Sequence, residues 1–69
     1  EIARRLNRLT PRERQVLDRI MNGDPNKMIA VAIERSEKTV EAHRKRIMEK
    51  MEVRSVVELV KRVLAANPN

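Results

Sequence analysis

The stretch SEKTVEAHRKRIMEKM, residues 36–51, concentrates Lys38, His43, Arg44, Lys45, Arg46 and Lys50 in a segment that, as a helix, makes about four turns. Ammonium and guanidinium groups at this density are donors without acceptors of their own. They suit an anionic partner: Lys38 and Lys45 can donate to guanine edges, and their neighbours to phosphate oxygens. Glu41 adds an acceptor suited to the exocyclic amine of cytosine. Ala42 is small enough to let the backbone come near, and its methyl can meet a thymine methyl.

On a helical wheel of about 100° per residue, Val40, Ile47 and Met51 fall in one narrow arc, with Met48 to one side. The opposite arc holds Lys38, Ala42, Lys45 and Glu49, flanked by Glu41 and Arg46. A thin apolar seam behind a broad charged face is what one helix in a DNA major groove requires. Taken alone, the wheel also fits an ordinary solvated helix face, where mixed charge is common.

Other chemistry is poorly supplied. The chain has no Cys, which excludes disulfides and thiolate zinc sites, and its one His (His43) cannot build a metal site alone. No nucleophile–base pair is evident, and a chain of 69 residues has little room for a pocket, so it is read as not an enzyme and as needing no cofactor. The absence of Phe, Tyr and Trp counts against modules that stack unpaired bases on aromatic rings.

Sixteen Lys and Arg against ten Asp and Glu give a net charge of +6. That balance favours a polyanion, either nucleic acid or an anionic membrane face. The longest apolar run, MIAVAI at 28–33, is far too short to span a bilayer. No signal peptide is evident, so the expected location is cytoplasmic, with no membrane partner.

The elements that position these residues read as helices. Strict alternation bounded by turn residues is missing, so the expected class is all-α. Thr10, Pro11 and Glu13 compose a capping box with Pro at the first helical position, and Leu9 precedes it as a candidate staple. Val16, Leu17 and Ile20 follow at helical spacing, and Asn22-Gly23 supplies a left-handed stop. A short second helix spans 26–33, capped by Asp24 or Asn26, with Ile29, Ala30 and Ile33 inward. Ser36 caps a third helix that runs to about Met51. Ser55 and Glu58 make a second capping box for a fourth helix, which fades near Ala66. Residues 1–8 read as a linker remnant of something longer, 9–66 as the domain, and 67–69 as a tail.

A short helix, a tight turn and a longer helix is helix-turn-helix spacing. Lys27, in the first turn of the short helix, would then face a phosphate together with the amides beside it. The fourth helix carries more apolar width than one seam needs. Its surplus, Val57, Val60 and Leu64, could pair with a twin helix in a homodimer suited to inverted half-sites. A short isolated domain pairs weakly without DNA or its upstream part. Met21, Met28, Met48 and Met51 read as gap fillers in a core without aromatics. His43 reads as half-buried, hydrogen-bonded to backbone or a phosphate.

The blocks LTPRERQVL (9–17), NKMIA (26–30), SEKTVEAHRKRIMEKM (36–51) and VRSVVELV (53–60) resemble, in order and spacing, the LuxR-type (FixJ/NarL-type) DNA-binding domain over about residues 9–64. The resemblance implies a four-helix domain with a tri-helical helix-turn-helix core, the third helix in the major groove of double-stranded DNA, and a dimer contact on the fourth. It places Glu41, Ala42 and Lys45 at base-facing positions, and Lys27, Thr39, Arg44 and Arg46 near the phosphate backbone. It further implies a bacterial transcription regulator with a receiver-type domain upstream, and RNA polymerase as a candidate partner.

Two positions depart from the family's pattern. Glu34 stands where the turn usually has glycine, so a retained turn would give Glu34 a positive φ at about 1 kcal/mol. Arg35 stands where an aliphatic usually plugs the core; its stem could cover the core, or its guanidinium could reach a phosphate. The competing functional class is a helical interaction module that docks an acidic partner, such as a polymerase subunit, on the same cations.

Overall fold

The computed structural model describes residues 2–66, which form five helices: α1 (Ile2–Asn7), α2 (Pro11–Met21), α3 (Asn26–Ile33), α4 (Glu37–Met51) and α5 (Val56–Ala66). No strand occurs among the described residues. The four helices expected from the sequence are α2 to α5. The expected tail, 67–69, lies outside the described residues.

The first helix is a correction to the four-helix expectation. Residues 2–7, within the segment expected as a linker remnant, form a helical turn and a half packed against α4 and α5. Its hold on the domain is tertiary. Leu6 packs on the core, Arg5 Nη1 donates to Met51 O at 3.3 Å, and Arg5 pairs with Glu52 at 3.5 Å. Contacts of that range, between residues far apart in the chain, leave no periodic signature in a segment this short.

Local chemistry fixes the other helices. Thr10 Oγ1 accepts from the Glu13 amide at 3.1 Å and Glu13 Oε1 from the Thr10 amide at 2.9 Å, a complete capping box. Ser36 caps α4 through the Thr39 amide. At α5 the expected box is shifted by one residue: Ser55 Oγ accepts from the Glu58 amide, but the Glu58 carboxylate takes the amide of Arg54, at 2.8 Å, rather than that of Ser55. The short α3 lacks the cap expected of Asp24 or Asn26. Pro25 occupies the cap position with no side-chain bond, and Asp24 turns instead to Arg19 at 3.4 Å.

Three helices end the same way. Gly23 (φ 82°), Glu34 (φ 56°) and Glu52 (φ 57°) each adopt the left-handed conformation after α2, α3 and α4. In each case the next amide returns to the carbonyl five residues back: Asp24 to Arg19, Arg35 to Ala30, Val53 to Met48. The positive φ expected at Glu34 is therefore present, and Glu52 adds a second without glycine.

The core collects Val16, Leu17 and Ile20 from α2, Ile29, Ala30 and Ile33 from α3, Val40, Ile47 and Met51 from α4, Val53, and Leu59 from α5. At about 1.5–3 kcal/mol for each large aliphatic fully buried, this cluster is the main stabilising term. Leu9, Met21 and Met48 pack at its edge. Met28 is not a gap filler as read from the sequence: it is 57% exposed, on the outer side of α3 beside Val31.

Candidate nucleic-acid interface

The helix-turn-helix is α3, the turn at Glu34–Ser36, and α4. The buried seam Val40, Ile47 and Met51 pins one side of α4 to α2 and α3. Helical geometry then aims the opposite side outward: Lys38, Glu41, Ala42 and Lys45 are all exposed, together with Glu37, Arg46 and Glu49. Among the described residues this face is left exposed, and α5 contributes Leu59 to the core.

The expected phosphate-side residues divide by exposure. Lys27, Arg35 and Arg46 are exposed; Thr39 and Arg44 are half-buried at the flanks of α4. Thr39 Oγ1 lies 3.1 Å from Ser36 Oγ, so its hydroxyl already has a partner in the cap. Arg35 is exposed and its Nη1 donates to the carbonyl of Glu34 at 3.0 Å. Arg35 is therefore not a buried plug, while Ile29, Ile33 and Val40 are buried in the core.

The cations sort into two groups. Arg5, Arg8, Arg19, Lys50 and Arg62 hold carboxylates within 4 Å. Among the described residues Lys27, Lys38, Arg44, Lys45 and Arg46 make no such pair, and neither do Arg4, Arg12, Arg14, Arg35, Arg54 and Lys61. Glu41 and Lys45 lie one turn apart on α4 and still do not pair. The exposed face of α4 thus carries Lys38, Lys45 and Arg46 outside any ion pair among the described residues, beside Glu37, Glu41 and Glu49, and alongside the first-turn amides of α3, which no side chain caps.

A buried polar link, Glu13 with Lys50, has no signature in the sequence. Glu13 is only 3% exposed, yet it keeps a carboxylate inside the protein. Burial pushes its pKa up, but the hydrogen bond from Lys50, the Thr10 amide and the positive charge of Lys50 outweigh it, and the carboxyl ends below its ordinary 4.5. In the sequence Glu13 reads as half of a capping box; nothing in the spacing of residues 13 and 50 signals that they meet. His43 is half-buried as expected; of the two partners expected for it, backbone or a phosphate, no backbone bond is made at its buried Nδ1 among the described residues.

The arrangement is that of a helix-turn-helix domain, and the relatives of the chain agree. The family model described as "Bacterial regulatory proteins, luxR family" matches residues 7–63, and the chain belongs to that family. It is 46% identical over 65 residues to the transcriptional regulatory protein FixJ of Rhizobium meliloti, covering 94% of this chain and 32% of FixJ. It is 49% identical over 55 residues to the nitrate/nitrite response regulator protein NarL of Escherichia coli, covering 80% of this chain and 26% of NarL. A third relative, the uncharacterized response regulatory protein YgeK of Escherichia coli, is 48% identical over 58 residues, with 84% of this chain and 40% of YgeK covered. The chain therefore spans between about a quarter and two fifths of the length of these relatives. No solved structure matches it.

Proposed function

We propose that this chain is the sequence-specific, double-stranded-DNA-binding output domain of a bacterial transcription regulator, with α4 as the helix that enters the major groove. One observation carries the reading: the exposed side of α4 holds Lys38, Glu41, Ala42 and Lys45 with no ion pair among the described residues, while Val40, Ile47 and Met51 on the other side are buried in the core. In this arrangement Lys38, Glu41, Ala42 and Lys45 face base edges, with Lys27, Arg44 and Arg46 against phosphates and Arg35 and Thr39 at the margin. The response-regulator names of the relatives support an upstream receiver-type domain, with this domain as its output.

The test is the salt dependence of binding to a duplex. Neutralising about five phosphates per monomer gives a slope of log affinity on log salt near −4 to −5. Anisotropy of a labelled duplex from low to moderate salt measures it; a flat response would exclude this mode. Capture of an acidic protein that is indifferent to added DNA would instead favour docking through the same cations.

A further inference from the structure

Arg12 reaches from α2 to the turn that precedes the recognition helix. Its Nη1 donates to Ile33 O at 3.1 Å, a partly buried contact between residues 21 apart in sequence. Ile33 is the last residue of α3. Its carbonyl is among those that a helix end leaves without an intrahelical donor, at the negative end of the helix dipole, where a guanidinium is favoured. The next residue is Glu34, held left-handed, and only Arg35 and Ser36 separate it from the start of α4. The direction of α4 relative to α3 is therefore set within three residues. Arg12 is the one side chain from outside the motif that hydrogen-bonds into this stretch among the described residues.

Its root is rigid. Arg12 sits in the first turn of α2, between Pro11 and the capping-box Glu13, and Glu13 accepts from Lys50 at the far end of α4 at 2.7 Å. Adjacent residues of one helical turn thus hold the motif at its turn and at the end of its recognition helix. Arg12 is half-buried and is spent on a backbone carbonyl, unlike the open cations of α4.

We propose that Arg12 is a positioning residue for base recognition: by holding the Ile33 carbonyl it fixes the left-handed turn at Glu34 and, through it, the angle at which α4 meets the groove. The proposal rests on the DNA-binding reading above. Base-edge hydrogen bonds tolerate little displacement, whereas phosphate attraction is long-ranged. Loss of Arg12 should therefore erode discrimination between sequences before it erodes binding as such.

The experiment compares the unaltered chain with Arg12→Ala and Arg12→Lys. Without DNA, amide hydrogen exchange at Glu34 and Arg35 is read against Leu17 and Ile47. With DNA, the ratio of affinities for a duplex selected from a random pool and for its scrambled counterpart is measured over a salt series. For Arg12→Ala, exchange at 34 and 35 should quicken about 3–10-fold relative to the core amides, and the ratio should fall by a similar factor. Affinity for the scrambled duplex and the salt slope should stay within about twofold. Arg12→Lys, which keeps one donor, should restore most of both. An unchanged ratio in a folded Arg12→Ala protein, or uniform exchange across the domain, overturns the proposal. If the unaltered chain shows no sequence preference, the DNA reading itself fails, whereas selective exchange at 34 and 35 would still establish the hold on the turn.

Discussion

Lys50 Nζ lies 2.7 Å from Glu13 Oε1, and this pair ties the start of α2 to the last turn of α4. The two ends differ in exposure: the lysine side chain is 33% exposed, the glutamate 3%. Removing the lysine therefore strands a buried carboxylate, while removing the carboxylate leaves a lysine that can reach water. Lys50→Met should cost about 2–3 kcal/mol, and Glu13→Gln less, because glutamine still accepts from the Thr10 amide. Urea unfolding midpoints of the two variants check the order.

The same carboxylate gives the domain an acid limit. Its folded pKa lies below the ordinary 4.5, because donation from Lys50 and Thr10 outweighs burial. A depressed carboxyl contributes stability that is fully present above its unfolded pKa and is lost as pH falls through the folded one. Unfolding midpoints taken from pH 6 downward should therefore drop below about pH 4.5, and Glu13→Gln should flatten that drop. An equally steep fall in the variant would assign the acid limit to other groups.

Two left-handed glutamates offer a matched pair of stability tests. Glycine occupies this conformation without the Cβ clash, so Glu34→Gly should stabilise by about 0.5–1 kcal/mol. For a domain of this size that corresponds to a rise in Tm of about 2–8 °C. Glu52 has the same φ but holds Arg5 at 3.5 Å and Arg8 at 3.8 Å. The Arg8 pair is exposed and the Arg5 pair half-buried; exposed pairs contribute about 0–1 kcal/mol. Glu52→Gly should therefore gain less than Glu34→Gly, or lose. Thermal melts of both variants under one buffer decide it.

These examples mark where the chain was readable and where it was not. The core of α2 to α4 and the outward aim of Lys38, Glu41, Ala42 and Lys45 follow from helical periodicity, because a helix that buries 40, 47 and 51 must expose 38, 42 and 45. The strained turn at Glu34 was legible only against a family pattern, since glutamate itself carries no turn signal. The packing of α1, the Glu13–Lys50 pair and the Arg12–Ile33 bond join residues 21 to 46 positions apart. Such contacts are set by how helices stack, and a single sequence holds no local trace of that. Met28 shows the opposite limit: apolar character alone does not imply burial, and Met28 lies opposite Ile29, Ala30 and Ile33 on α3.

Within the candidate interface, base reading and charge attraction should separate by mutation. Lys45 projects from the middle of the exposed face of α4, and Lys27 from the first turn of α3. Lys45→Ala should relax base preference at one position of the bound site, at about 1–3 kcal/mol of discrimination. Lys27→Ala should weaken all duplexes alike and lower the salt slope by about one. Selection from a random duplex pool, repeated with each variant, reads both effects. Unaltered preference in Lys45→Ala would mean that a different register of α4 faces the bases.

On α5, burial splits the apolar residues into two kinds, and the split predicts two phenotypes. Leu59 is fully buried, so Leu59→Ala should cost about 2–5 kcal/mol and unfold much of the population. Val57 is 64% and Leu64 59% exposed, and they lie seven residues apart on one side of the helix, with Val60 half-buried between them. A charge at either exposed position has little to disturb within one chain. We therefore expect Val57→Glu and Leu64→Glu to melt within a few degrees of the unaltered protein. If Val57, Val60 and Leu64 join two copies on inverted half-sites, the same substitutions should abolish cooperative loading of a two-site duplex while leaving a single half-site bound as before. Sedimentation of the domain on one-site and two-site duplexes gives the stoichiometry directly. Equal cooperativity in the charged variants would move the dimer contact away from α5.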